Sequence, residues 1–153
     1  MALWANLLYY SVVCALVLRR FRAEPYLGTM EQFKVLIVDD HEFVRRGLKD
    51  ILRNTEFAVC GEARNGQEGL ASTLSLCPNV VLLDMSMPVM TGLQAAAQIR
   101  RLAPSTKILI VTMHDSPQME VEAIAAGADA YITKMAAAQS LLGAMRSLMA
   151  QPS

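Results

Sequence analysis

Asp84 stands at the end of the apolar run Asn79-Val-Val-Leu-Leu-Asp84, directly ahead of Met85-Ser-Met-Pro-Val-Met-Thr-Gly92. A carboxylate in that place closes a strand that reads as buried and opens a loop. Three other apolar runs also finish on polar groups: Asp39 and Asp40 follow Lys34–Val38, Thr112 closes Lys107–Thr112, and Lys134 comes just past Ala130–Thr133. Taken singly, each has an ordinary role. Asp40 could cap a helix, Thr112 could be a β-branched strand residue, and Lys134 could be a solvated surface charge. Brought together, the three carboxylates would repel one another unless a cation joined them, and magnesium prefers such hard oxygen ligands. Asp84 could then attack a phosphoryl donor. Lys134 would supply a mobile charge for one phosphoryl oxygen, and the Thr112 hydroxyl a hydrogen bond for another. Phosphoryl transfer needs that neutralisation and positioning more than it needs acid–base help.

The elements that must position these residues alternate along the chain. Lys34–Val38 is a short β-branched run suited to a strand buried on both faces. Asp40 is expected to cap a helix from about His41 to Arg53, with Val44, Leu48, Ile51 and Leu52 on one face. A weaker strand spans Phe57–Glu62. Asn65-Gly66 turns into a second helix whose inner stripe reads as Leu70, Leu74 and Cys77, stopped by Pro78. The third strand is Val80 to Asp84. Thr91 can cap a third helix facing inward through Gly92, Ala95, Ala96, Ile99 and Leu102. Lys107–Thr112 is the fourth strand, and a helix from Pro117 to about Ala126 is stopped by Gly127. Ala130–Thr133 is the fifth strand, and the last helix, about Ala136 to Met149, presents Leu141, Leu142, Met145 and Leu148. Five strands alternating with five helices predict an α/β fold with a parallel sheet covered on both faces. Ligands of such sheets bind beyond the carboxyl ends of the strands, where strand order reverses.

At 153 residues the chain is expected to form one domain with a substantial core. Lys+Arg and Asp+Glu number 14 each, so no global charge points to nucleic acid. From Met30 onward there are 11 basic and 13 acidic residues, a net of −2. Cys14, Cys60 and Cys77 lack metal-ligand spacing and sit in apolar surroundings, which predicts buried thiols in a reducing, cytoplasmic setting. Residues 1–29 are expected to lie outside the domain, which occupies 30–150. Residues 2–18 are uncharged, followed by Arg19-Arg20-Phe21-Arg22, and near the short limit for crossing a bilayer. Membrane anchoring through them is the secondary reading, and a start at Met30 the preferred one. If the segment inserted, its arginines would keep the domain on the cytoplasmic side.

Val35-Leu-Ile-Val-Asp-Asp40, Val81-Leu-Leu-Asp-Met-Ser-Met-Pro88 with Gly92, Ile110-Val-Thr112 and Gly127-Ala-Asp-Ala-Tyr-Ile-Thr-Lys134 together resemble the receiver domain of two-component response regulators over about Phe33 to Met149. Asp40-His-Glu-Phe-Val-Arg-Arg-Gly47 and Thr112-Met-His-Asp115 further resemble its LuxR/NarL-type branch. The resemblance implies a CheY-like, flavodoxin-like sheet of order 2-1-3-4-5. It implies Asp84 as phospho-acceptor from a sensor histidine kinase or phosphotransfer protein. Mg2+ would be held by Asp39, Asp40, Asp84 and the Ser86 backbone carbonyl. Thr112 and Lys134 would bind the phosphoryl group, and Thr112 with Tyr131 would switch the surface of helix 4, strand 5 and helix 5. A homodimer or a downstream protein partner would use that surface.

Some positions depart from the common pattern. Met135 follows Lys134 where many receivers carry proline, which puts the usual cis peptide in doubt. Met113 is bulkier than the commonest residue after the switch threonine and is expected to narrow access to the phosphoryl group. Ser86 and His114 flank the position where the family tunes phosphoryl lifetime. No basic helix-turn-helix follows the last helix, so direct DNA binding is not expected from this chain, which reads as a stand-alone receiver or a shortened regulator. Two alternatives belong to other classes. An aspartate-nucleophile phosphatase or phosphotransferase would want a second acid where Ser86 stands, and a phosphorylation-independent interaction domain would not need all five site residues.

Overall fold

The computed structural model describes residues 32–151. Five strands alternate with five helices: β1 (Phe33–Val38), α1 (Glu42–Leu52), β2 (Phe57–Ala63), α2 (Gly66–Leu76), β3 (Val80–Leu83), α3 (Gly92–Leu102), β4 (Lys107–Thr112), α4 (Pro117–Ala125), β5 (Ala130–Thr133) and α5 (Lys134–Ala150). The strands form one parallel sheet in the order β2-β1-β3-β4-β5. Chain order reverses between β1 and β3, where a crevice opens at the carboxyl edge of such a sheet.

Side chains alternate across the strands and divide the core in two. Leu36, Val38, Val81, Leu83, Ile108 and Ile110 face Ala95, Ala96, Ile99 and Ala123. Val35, Ile37, Val80, Leu82, Leu109 and Val111 face Leu48 and Leu52 of α1 and Ala137, Leu141, Met145 and Leu148 of α5. Near-continuous β-branched and Leu runs are thus what a sheet covered on both sides requires.

Several local expectations need correction. Asp40 does not cap α1: His41 occupies the N-cap, without a side-chain cap bond, and the His41 N–H is taken by Asp39 Oδ1 at 2.8 Å. Of the expected inner stripe of α2, Leu70, Leu74 and Cys77, only Leu70 packs against the core. Gly66, Gly69 and Thr73 are the residues buried there, Leu70 is half-buried, and Leu74 and Cys77 are exposed. The cause is close approach. A Cβ on Gly69 would lie 2.8 Å from Val38 Cγ1, so glycine lets α2 sit nearer β1 than a leucine stripe could. Leu102 of α3 is also exposed, while Gly92, Ala95, Ala96 and Ile99 are buried as expected. Cys60 is half-buried and Cys77 lies at the exposed end of α2, so neither is the buried thiol that its neighbours in sequence suggested. The last helix begins at Lys134, and the Lys134–Met135 peptide is trans.

Among the described residues, no helix is long and apolar enough to cross a membrane. The apolar segment 2–18, Cys14 and the start at Met30 lie outside the described residues.

Candidate functional site

Each candidate residue is held by a strand end. Asp39 follows β1, its N–H donating to the Ala63 carbonyl of the neighbouring strand at 3.1 Å. Asp84 follows β3, its N–H donating to Val38 O at 2.8 Å. Thr112 is the last residue of β4, and Lys134 opens α5 directly after β5. Parallel register brings these four carboxyl ends to one edge. There the Lys134 Nζ lies 2.6 Å from Asp39 Oδ2 and 2.9 Å from Asp84 Oδ1, with all three side chains nearly sealed from water.

The electrostatics follow from that enclosure. Burial raises the Asp84 carboxyl above its ordinary range, against the opposing hydrogen bond and charge of Lys134. Burial pulls Lys134 down, but its hydrogen bonds to Asp39 and Asp84 and their charges outweigh that and raise it. Lys134 therefore stays an ammonium, serving as counter-ion to two carboxylates.

Asp40 is placed differently. Its Oδ1 lies 2.8 Å from the exposed His41 Nδ1 but out of hydrogen-bonding alignment, leaving a buried oxygen with no hydrogen-bond partner. Ligand atoms of Asp39, Asp40 and His41 all fall within 4.8 Å of one another. Two carboxylates grouped this tightly, one with a buried oxygen that no hydrogen bond holds, fit a hard divalent cation such as Mg2+.

The remaining predicted residues surround this centre. The Ser86 N–H donates to Asp84 Oδ2 at 3.2 Å, and Ser86 Oγ lies 3.5 Å from His114 Nε2. The buried Thr112 hydroxyl accepts from the His114 N–H at 3.3 Å. Tyr131 is half-buried on β5, and its hydroxyl donates to the His114 carbonyl, which ties β5 to the loop after β4. Met113 is exposed beside Thr112. The loop after β3 is closed by the Gly92 N–H on Met85 O at 2.9 Å, and α3 begins with the full Thr91–Gln94 capping box. A Cβ on Gly92 would stand 2.0 Å from the Asp84 carbonyl oxygen, so the loop requires glycine there.

Residues 35–146 match the response regulator receiver domain. The chain belongs to the response regulator receiver family. It is 41% identical to the chemotaxis protein CheY of Thermotoga maritima over 101 residues, covering 66% of this chain and 84% of that protein. It is 39% identical to the response regulator UvrY of Escherichia coli over 115 residues, covering 74% of this chain and 53% of UvrY, so it spans about half the length of that relative. Among solved structures, the receiver domain of the NarL regulator from Mycobacterium tuberculosis aligns with a TM-score of 0.74 at 30% identity, over 79% of this chain and 99% of that one. A LuxR-family regulator from Aurantimonas sp. aligns with a TM-score of 0.73 at 32% identity, over 78% and 86% of the two chains. The fold agrees with these receivers, both of LuxR/NarL type.

The protein therefore carries a receiver domain of two-component signalling. Receiver domains are signalling modules that meet histidine kinases or phosphotransfer proteins. The family match leaves the phosphatase and inert-module readings without support. One buried charge at this edge escaped the sequence reading: Arg45 of α1, whose side chain reaches back under the acidic loop. A cation between Val44 and Leu48, on the apolar stripe of a helix, was the signal for it.

Proposed function

We propose that Asp84 is the phosphoryl acceptor of this receiver. The observation that carries the reading is the Lys134 ammonium bridging Asp39 and Asp84 at 2.6 and 2.9 Å inside a nearly closed edge. A carboxylate oxygen of Asp84 attacks the phosphorus. The new P–O bond forms as the bond from phosphorus to a donor imidazole nitrogen breaks, and the imidazole leaves with its electron pair. Lys134 swings from its carboxylate partners toward a phosphoryl oxygen. Thr112 trades its role as acceptor from the His114 N–H for donation to a second oxygen.

Asp39, Asp40, Asp84 and the Ser86 backbone carbonyl would hold Mg2+. The chemistry that the cation supplies when bound is neutralisation and spacing of the phosphoryl oxygens. The Tyr131 tether to His114 joins β5 to the loop that Thr112 controls, so movement of the threonine is felt on the surface of α4, β5 and α5. That supports a two-state element biased by phosphate. A histidine kinase or phosphotransfer protein would donate the phosphoryl group. A second copy of the chain or a downstream protein would read the altered face, in the cytoplasm. Met113, Ser86 and His114 would set access and lifetime.

The test uses the full chain with Mg2+ and acetyl phosphate, alongside Asp84→Asn. Intact mass is expected to rise by one phosphoryl group in the parent protein alone, and only with the metal. Labelling of Asp84→Asn at the parent rate would overturn the reading.

A further inference from the structure

Asp40 poses a positioning problem. Its carboxylate offers a buried oxygen that no hydrogen bond holds, with only the exposed His41 Nδ1 near it at 2.8 Å, so its direction depends on the backbone that carries it. The backbone of Asp39, which leads directly into Asp40, is anchored on two sides. Asp39 N–H donates to Ala63 O of β2. On the other side, the Asp39 carbonyl accepts from Arg45 Nη1 at 2.8 Å in a fully buried bond. The same guanidinium donates from Nε to Glu62 Oε2 at 3.1 Å, and Glu62 is held again by Lys49 Nζ at 2.7 Å. Arg45 is 6% exposed.

We propose that Arg45 is a positioning residue for the cation site: its fork clamps the Asp39 carbonyl against Glu62 of β2, and so presets the Asp39–Asp40 loop for Mg2+. The inference rests on the acidic-site reading above. Its physical ground is geometric. A planar guanidinium can serve a carbonyl and a carboxylate at once with little freedom left to either, which an ammonium on a flexible stem does not do. Partners behind metal ligands commonly change affinity by about 10–100-fold when removed. Arg45 also places a positive charge behind a loop that carries two acids, which lowers the cost of gathering them before a cation arrives. Lys49 bonds Glu62 alone, so it separates the clamp from the general charge of the cluster.

The experiment measures Mg2+ binding to the full chain by calorimetry, for the parent protein, Arg45→Met, Arg45→Lys and Lys49→Ala, with thermal midpoints for each. Arg45→Met is expected to weaken Mg2+ by about tenfold. Arg45→Lys should fall between the two, and Lys49→Ala should stay within twofold of the parent. At saturating Mg2+ the acetyl phosphate labelling rate of Arg45→Met should return toward the parent rate, as a preset loop affects occupancy more than the transfer step. Should Arg45→Met not fold, Arg45→Lys carries the test, and parent-like affinity in it overturns the proposal. Parent-like affinity in a folded Arg45→Met, or equal weakening by Lys49→Ala, overturns it as well. No Mg2+ binding by the parent protein would remove the acidic-site reading and this inference together, whereas the other failures remove only the clamp.

Discussion

In the body of the sheet, Leu36, Ile37, Leu82, Leu83, Leu109 and Ile110 are fully buried against apolar neighbours on both faces. One residue beyond the strand ends, Asp39, Asp84 and Lys134 are withdrawn from water almost as completely. The first region is held by packing that any well-shaped apolar set could supply. The second is held by one ammonium between two carboxylates, with an Asp40 oxygen nearby that no hydrogen bond holds. Buried charge of this kind is weak support for a fold and costly to break. The edge therefore gives up stability that an apolar set would supply, and the strands beneath it supply the rigidity that makes this tolerable.

The largest test of that contrast is Lys134→Met, which keeps the apolar stem and removes the charge. Two buried carboxylates would face each other without their cation. Breaking a buried pair in this way typically costs about 3–5 kcal/mol, so urea denaturation should show a loss of that order. Added Mg2+ should recover part of it, because a bound cation stabilises the folded state alone. Acetyl phosphate labelling followed by intact mass should fall by about 100-fold or more. Labelling within threefold of the parent would deny Lys134 any part in handling the phosphoryl group.

Gly92→Ala probes the seam between the two regions. The added methyl would stand 2.0 Å from the Asp84 carbonyl oxygen and 2.9 Å from Met85 Cα, which are backbone atoms that cannot swing aside. The loop must shift, at a cost of about 1–3 kcal/mol as for other overpacked sites. The labelling rate should fall with stability, as Asp84 moves with its own backbone. A variant with full stability and slowed labelling would instead mean that the loop absorbs the methyl by moving the acceptor alone.

Met113→Ala is smaller in effect and opposite in sign. Met113 is exposed next to the buried Thr112, so its loss removes no core. If its side chain screens the phosphoryl position, acetyl phosphate labelling should quicken by a few-fold with the unfolding midpoint unchanged. Unchanged kinetics, measured by the same mass time course, would remove the gating role.

Much of this is legible in the amino-acid sequence, and the reason is physical. β-branched runs bounded by Pro and Gly announce strands covered on both faces, and polar residues at the ends of four such runs can converge only if the strands are parallel. Thr91 announced α3 because a cap is a local bond pattern, which the structure completes with Gln94. What stayed hidden depended on partners distant in sequence. Gly69 looks like a weak helix residue until Val38 is seen 2.8 Å from its missing Cβ. Asp40 reads as a cap, since nothing local reveals that Asp39 takes the His41 N–H instead. The partners of Arg45, a carbonyl at the end of β1 and a carboxylate of β2, come from elements that nothing in its own helix names.

The mildest test lies far from the carboxyl edge, where Arg146 of α5 grips Glu56 in the loop before β2 with bonds of 2.5 and 3.1 Å. That hydrogen bond holds the Glu56 carboxyl at about 2, against an ordinary value of 4.5. The folded carboxyl thus gives up its proton more readily than the unfolded one. Its contribution to stability is complete above about pH 4.5 and disappears as pH falls through about 2. Glu56→Gln should therefore unfold slightly earlier than the parent at neutral pH, with the gap closing as the solution is acidified. Added salt should shrink the neutral-pH gap, because the pair is open to solvent. Thermal midpoints at several pH values and two salt concentrations check this, and a gap that stays the same at every pH would assign the effect to something other than the Glu56 charge. By the same measurement, the Lys134 variant should keep its much larger deficit at neutral pH when salt is added, since its charges are shielded from ions by the protein itself. Equal salt sensitivity of the two variants would erase the distinction between a buried charged edge and an ordinary surface pair.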